Sequence, residues 1–471
     1  MKIYKCILCG LLVASLSLKA EIKLPAFFAD NMVLQQQNQA PLWGWTTARQ
    51  TLKIKTSWDN RTYKVQADNQ GRFKVALSTP QAGGPYRVTI EAGKDKRSLE
   101  NVLIGEVWFC SGQSNMEQPM KGYKAQSITN GTRDLMLSTD DDLRLMTIRR
   151  QKSFEPLDSV NGSWHEARPA TVREFSATAY YFGRFLRQAL GCPVGLVVSS
   201  WGGTCIEAWM PREVLSTFPE VELPEADAKI GSNTPTSLYN AMVHPFLGMA
   251  MRGVIWYQGE SNYDRAQTYA ALMQAMVASW RENWGIGEFP FYYCQIAPYD
   301  YSIITPKDKE PINSALLREA QMKAEALIPN AAMVVLLDAG MWSGIHPSRK
   351  QIPGERLAMN ALAHTYGYDI NVESPRYKSM EIKDSLVVLD FDHSPMGLDA
   401  TLGDPDGFEL AGPDSIFYPA KAHIRWNTNY VELYSPQVPQ PVAVRYAFGN
   451  CVNATLFGQN GMPVSSFRTD F

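Results

Sequence analysis

Beyond its first twenty residues the sequence has no uninterrupted apolar run of about eighteen residues, so no later segment reads as a membrane-spanning helix. It has no C-x-x-C pair, and its six histidines show no H-x-x-x-H spacing, so no zinc motif is implied. Cys110, Cys192, Cys205, Cys294 and Cys451 are an odd set, which excludes a complete disulfide framework and leaves room for one bridge that the sequence does not choose. No excess of one charge is present either. The 45 basic and 47 acidic side chains give a net charge of −2, or −5 without Lys2, Lys5 and Lys19, and such a balance excludes nucleic acid and anionic membrane surfaces as expected partners. There is no internal repeat and no low-complexity tract.

What remains is the composition of an ordinary globular protein, 45% hydrophobic over 471 residues, long enough for two or three domains. Residues 1–20 combine early lysines, a short apolar core and a small residue at Ala20, the pattern of a secretory signal peptide. Export is therefore expected, to the periplasm or beyond the cell.

From Glu21 to Glu100 short alternating runs such as Thr51–Ser57 and Arg72–Leu77 are separated by turn residues, which predicts an N-terminal β-sandwich over 21–100. From Asn101 strands alternate with helices. Val102–Phe109, Val194–Val198, Met251–Tyr257, Phe289–Ile296 and Met333–Leu337 read as buried strands, each followed by a polar loop and most by a helix, so 101–366 reads as an α/β domain. The last helix is expected from Pro347 to Tyr366. Lys121–Glu166 and Ser216–Ser237 read as long irregular insertions that shape a cleft. From Gly367 to Phe471 the β pattern returns, as a second all-β region or as a part packed with the first.

The carboxyl ends of parallel strands are where such folds place ligands. One of them ends in Cys110-Ser-Gly-Gln-Ser-Asn-Met116, which makes Ser114 a candidate nucleophile and Gln113 its neighbour at the site. Alone, this stretch is equally a turn that caps a helix. Acyl transfer also needs a base and oxyanion donors. His346, after the strand expected to end at Asp338, offers the base. Gly202 and Gly203 offer unobstructed backbone N–H groups, and Gln258 and Asn262 offer amides.

Gly112-Gln-Ser-Asn-Met116, Trp201-Gly-Gly203, Trp256-Tyr-Gln-Gly-Glu-Ser-Asn262 and Ile345-His-Pro347 together resemble the sialate O-acetylesterases and related carbohydrate acetylesterases of the SGNH hydrolase superfamily. The likeness extends to Phe28–Gln35 near the start and to Pro441–Tyr446 near the end. It implies a flavodoxin-like three-layer α/β domain flanked by all-β regions, no metal or organic cofactor, and an O-acetylated carbohydrate as substrate, sialic acid first, with acetyl groups of plant polysaccharides such as acetylxylan as the alternative. It also implies Ser114 as nucleophile, His346 as base, and an oxyanion hole from the Ser114 N–H, a glycine at 202 or 203 and an amide, with Gln258 favoured over Asn262. Glu260 is expected to brace its loop. The superfamily commonly carries an Asp three residues before the histidine, and here that position is Ser343. A Ser–His dyad with Asp338 as a weak third member is the expectation.

Two rivals are weighed against it. A glycoside hydrolase would use Glu260 and Asp338 as paired carboxylates but leave Ser114 and His346 without roles. A non-catalytic sugar-binding protein would present Trp201, Trp209 or Trp342 as stacking platforms. For a sialate substrate, Arg318 and Arg349 are the candidate partners of the sugar carboxylate.

Overall fold

The computed structural model describes residues 21–225, 228–400 and 403–470. The expected signal peptide at 1–20 lies outside them. A large central mixed sheet is built around one long strand. Its seven main strands, numbered along the chain, are β1 (Asp95–Gly112), β2 (Asp140–Ile148), β3 (Gly162–Ala167), β4 (Val194–Ser200), β5 (Gly253–Tyr257), β6 (Phe291–Cys294) and β7 (Ala331–Val334). They lie in the order β7-β6-β5-β1-β4-β2-β3. All neighbours are parallel except β3, which runs antiparallel to β2.

β4, β5 and the second half of β1 are buried on both faces, which is why their sequences are continuous apolar runs rather than alternations. After β1 the chain builds one side of the sheet, through β2, β3 and β4, then crosses to build the other through β5, β6 and β7. β1 therefore lies at the switch of direction, with its carboxyl end between those of β4 and β5, the place where open sheets of this kind bind ligands.

Helices α1 (Ser114–Glu117), α2 (Ala177–Leu190), α3 (Ala266–Trp284), α4 (Ala315–Leu327) and α5 (Gln351–Asn360) connect or cover these strands. The local signals for α2 are complete. The Ser176 side chain caps its start by accepting from the Ala179 N–H, Tyr181, Phe182 and Leu186 are buried, and Gly191 ends it in the left-handed conformation.

The first half of β1 belongs to the N-terminal β region. It pairs antiparallel with Gly83–Ala92, while Val33–Gln35 runs parallel to Leu103–Gly105. Asn38–Trp45 and Arg72–Thr79 form a separate two-stranded sheet. Thr51–Thr56 alternates buried and exposed residues as its sequence does.

After residue 366 two four-stranded sheets form, one around Leu386–Asp392 and one around Phe408–Ala411. This C-terminal region docks on α4. Arg318, fully buried, donates to Ser466 Oγ at 2.9 Å and to the Gly449 carbonyl at 2.5 Å, and Gln295 donates to Ser465 Oγ at 2.9 Å.

Three sequence expectations shift. The Lys121–Glu166 stretch is not wholly irregular, because it contains β2 and most of β3. The charge in Asp140-Asp-Asp-Leu-Arg hides the strand, yet Arg144 is 2% exposed and donates to the Asp141 carbonyl at 2.8 Å. The strand expected to reach Leu337 leaves the ladder at Val334, since its partner β6 ends at Cys294 opposite it. α5 begins at Gln351 rather than Pro347, so His346 sits in a loop five residues ahead of the helix.

Candidate active site

Ser114 is the first residue of α1 and is 8% exposed. Three bonds set the turn that carries it. The Gln113 N–H donates to the Tyr257 carbonyl at 2.9 Å, the Trp201 N–H donates to the Gly112 carbonyl at 3.1 Å, and the Gln118 N–H donates to the Ser114 carbonyl at 2.8 Å. The loop after β1 is thus stitched to the ends of both neighbouring strands. Gly112 is required there, with φ +134° and an added Cβ falling 2.2 Å from the Tyr257 carbonyl oxygen. The Ser114 N–H has no acceptor among the described residues. Such a donor at a first helical turn is free for an anionic oxygen.

The histidine loop meets the serine loop through Asn115, whose Nδ2 donates to the Ile345 carbonyl at 3.0 Å. His346 is half-buried, with the Tyr123 ring at 5.3 Å edge-on. Its Nδ1 lies 2.6 Å from Gln126 Oε1. With Nδ1 donating to that oxygen, Nε2 carries the free lone pair of a base. No hydrogen bond joins Ser114 Oγ to His346 among the described residues, a separation common in ligand-free sites. Burial, with a smaller contribution from the nearby Lys350 charge, lowers the imidazole pKa to about 4.

Asp338, the expected third member, is engaged elsewhere. Arg356 donates to both of its carboxylate oxygens at 2.7 Å, which ties it to α5. The partner of His346 is instead a neutral amide. Gln126 lies in the insertion read from sequence as cleft-shaping, but nothing in its local pattern marks it.

The expected oxyanion amides are also occupied. Gln258, fully buried, donates to Asn262 Oδ1 at 2.7 Å and to the Thr204 carbonyl at 3.1 Å, and accepts from Tyr269 Oη at 2.8 Å. Asn262 donates to Glu207 at 3.0 Å and accepts from the Ile206 N–H. Gln113 Oε1 accepts from the N–H groups of Gly259 and Ser261 at 3.3 and 3.2 Å. These three side chains knit the β5 loop to its surroundings, and Gln258 is no oxyanion donor in this arrangement. Glu260, 3% exposed, accepts from Asn115 Nδ2 at 2.5 Å, consistent with a bracing role, and burial raises its pKa.

Gly202 is packed directly against Ser114, since an added Cβ would lie 3.0 Å from Ser114 Cβ. Its N–H, however, donates to Glu117 Oε2 at 2.8 Å. Gly203, with φ +74°, has open space where a Cβ would stand. Glu117, three residues after Ser114, is a site neighbour the sequence reading missed. Its other oxygen accepts from Arg150 Nε at 2.5 Å, and its charge adds to burial in raising the Tyr123 pKa. Arg150 lies over the Trp201 ring at 5.8 Å and keeps half its side chain exposed.

Of the aromatic platforms considered, Trp209 is fully buried in the core, Trp201 is half-buried and Trp342 is half exposed. Of the arginines, Arg318 is sealed under the C-terminal region, and Arg349 donates to the Asp338 carbonyl. The five described cysteines are free thiols, with Cys110 and Cys294 buried as expected.

Residues 104–347, just over half of the chain and spanning Ser114 to His346, match the family described as carbohydrate esterase, sialic acid-specific acetylesterase. The chain belongs to this family. It is 29% identical to the sialate O-acetylesterase of Homo sapiens over 394 residues, covering 76% of this chain and 74% of that one. It is 28% identical to the sialate O-acetylesterase of Rattus norvegicus over 437 residues, covering 78% of each. The crystal structure of a carbohydrate acetylesterase from Xanthomonas citri superposes with a TM-score of 0.87 at 35% identity, over 96% of this chain and all of that one. Family membership makes the protein an ester hydrolase. It also accounts for the mixed α/β sheet with added β sheets, which is the fold of that carbohydrate acetylesterase.

Proposed function

We propose that the protein is an exported esterase that removes O-acetyl groups from a carbohydrate, sialic acid first among them, by a Ser–His acyl-enzyme mechanism. The observation that carries the mechanism is the placement of a serine at a strand-end helix start, tied through Asn115 to a histidine whose Nδ1 is engaged by a neutral acceptor. Export rests on the leader-like residues 1–20 alone.

Ser114 Oγ attacks the acetyl carbonyl while His346 Nε2 takes its proton. The oxyanion receives the Ser114 N–H and an N–H of the Gly202-Gly203 turn, where the Gly202 N–H exchanges Glu117 Oε2 for the substrate oxygen. His346 then protonates the departing sugar hydroxyl. A water molecule, deprotonated by the same nitrogen, attacks the acyl-enzyme, and the proton returns from Nε2 to Ser114 Oγ as the acyl–oxygen bond breaks and acetate leaves. Gln126 plays the part an Asp has in the usual triad, holding the tautomer without adding charge.

The strand order supports an SGNH-type flavodoxin-like core. Without the β2–β3 pair, the sheet reads β4-β1-β5-β6-β7, the 2-1-3-4-5 order of that fold. Residues 21–100 and 367–471 flank this core as all-β regions. The glycoside hydrolase alternative finds no support in the carboxylates, since Glu260 is buried and Asp338 is paired with Arg356. Acetyl groups on other carbohydrates are the second reading, supported by the 35% identity to the Xanthomonas citri carbohydrate acetylesterase. Acetate release from O-acetylated sialic acid, acetylated xylan and an aryl acetate separates these substrates. Release from the aryl ester alone would remove the sugar assignment, and undiminished release by Ser114→Ala would remove the mechanism.

A further inference from the structure

Behind the two reacting loops lies a buried group that the proposed reaction does not use. Lys350, 1% exposed, donates from Nζ to Asn115 Oδ1 at 2.5 Å. Asn115 in turn donates to Glu260 Oε1 and to the Ile345 carbonyl. Asn115 follows Ser114 directly, Ile345 precedes His346, and Glu260 opens the turn after β5. One amide therefore joins three strand-end loops, and Lys350 holds its oxygen. The second Glu260 oxygen is buried without a hydrogen-bond partner.

Burying an ammonium is costly, and a neutral apolar side chain would fill the same space without that cost. What Lys350 has to offset the cost is modest: the Asn115 oxygen, the Tyr257 ring at 5.9 Å and the field of Glu260. The groups that face it are Glu260 from the loop after β5, Tyr257 from the end of β5, the Cys294 thiol from β6, and His346 from its own loop. His346 in turn is faced by Lys350, by the Tyr123 ring and by the uncharged Gln126, with Glu117 beyond Tyr123.

We propose that Lys350 is a positioning residue for the acyl-transfer reaction: through Asn115 it locks the serine loop, the histidine loop and the turn after β5 into one register. This rests on the Ser114 and His346 assignment above. Burial lowers the Lys350 pKa to about 7, partly opposed by Glu260, so the ammonium persists through the weakly acidic range. There it adds to the burial that keeps His346 unprotonated. Elsewhere a carboxylate behind the histidine raises its basicity, whereas here a cation and a neutral amide surround it, which suits a base that stays available in acid.

The test compares wild type with Lys350→Met and Lys350→Gln on an aryl acetate, recording kcat, KM and the pH profile of kcat/KM. Lys350→Met is expected to lower kcat on the order of tenfold or more, with KM little changed, because the nucleophile and base lose registry. The acid limb of kcat/KM should move to higher pH in both variants, and Lys350→Gln, which retains a donor for Asn115, should lose less kcat. Folded variants with wild-type kcat and an unmoved acid limb overturn the proposal, since a merely structural lysine would change stability alone. Should neither variant fold, an NMR titration of His346 in the wild-type protein decides. The imidazole should titrate well below 6.5 and show a second inflection near 7 from its neighbour. A single midpoint near the ordinary histidine value contradicts it. Absence of acetate release by wild type would remove the esterase reading, while the titration would still report on the Lys350–His346 coupling.

Discussion

The loops that follow β1 and β5 leave neighbouring parallel strands and carry similar residues, Gln-Ser-Asn in one and Gln-Gly-Glu-Ser-Asn in the other. They differ in the serine N–H, since that of Ser261 donates to Gln113 Oε1 whereas that of Ser114 has no acceptor among the described residues. In the β5 loop Gln258 and Asn262 are fully buried and engaged with each other, with Thr204, Ile206 and Glu207, and with Tyr269. In the β1 loop the Ser114 N–H and hydroxyl have no partner among the described residues, although the residues on either side are tightly held. A buried polar group that is fully satisfied holds structure, whereas an unsatisfied one is available to a ligand. The same sequence vocabulary therefore braces one loop and leaves a serine N–H and hydroxyl free in the other, as the proposed mechanism requires.

Substitutions should separate the two loops. Removing either reacting side chain, Ser114→Ala or His346→Ala, should lower kcat for acetate release on the order of 10⁵ with little change in melting temperature. Gln126→Ala should cost roughly 10² in kcat through a misoriented imidazole. Gln126→Glu should instead move the acid limb of kcat/KM upward, because a carboxylate favours the imidazolium. In wild type that limb should lie near pH 4, with kcat/KM falling about tenfold for each further unit of acid, as a steady-state pH profile would record. The stability sign is fixed as well. Between about pH 4 and 6.5 the unfolded histidine binds a proton that the folded one does not, so His346 makes stability fall as pH drops through that window.

The bracing loop should respond in stability rather than in specific activity. Gln258→Ala leaves Tyr269 Oη, Asn262 Oδ1 and the Thr204 carbonyl short of partners, an expected loss of roughly 3 kcal/mol by denaturant unfolding. Arg150→Ala should raise KM about tenfold for an acetylated sialic acid and leave that for an aryl acetate unchanged, if the half-exposed guanidinium meets the sugar carboxylate. The smallest effect on turnover is expected for Asp338→Asn, less than about threefold, because its carboxylate serves Arg356 rather than His346.

Local chemistry made much of this legible in the sequence. Continuous apolar runs marked the buried strands, and Gly191 marked the end of α2; the four strand-end motifs named Ser114 and His346, whose roles the proposed mechanism uses. What escaped depends on contacts between distant residues. β2 was concealed because Arg144 is paired with Glu166 and donates to Asn31, partners that only the fold brings to it. Asp338 attracted attention as an acid near the histidine, but its pairing with Arg356 is set by where α5 packs. Gln126 and Lys350 sit in unremarkable surroundings, and only folding brings them to His346 and Asn115. The engagement of Gln258 was not legible, because an amide in a motif looks the same whether it donates to a ligand or to Asn262.

The most direct test of the central claim is labelling with a serine-reactive phosphonate, followed by intact-mass measurement and peptide mapping alongside acetate release. The account predicts a single adduct on the peptide that contains Ser114, full loss of acetate release on labelling, and no adduct in Ser114→Ala or His346→Ala. An enzyme that still releases acetate while unlabelled, or that carries its adduct on another residue, would contradict it.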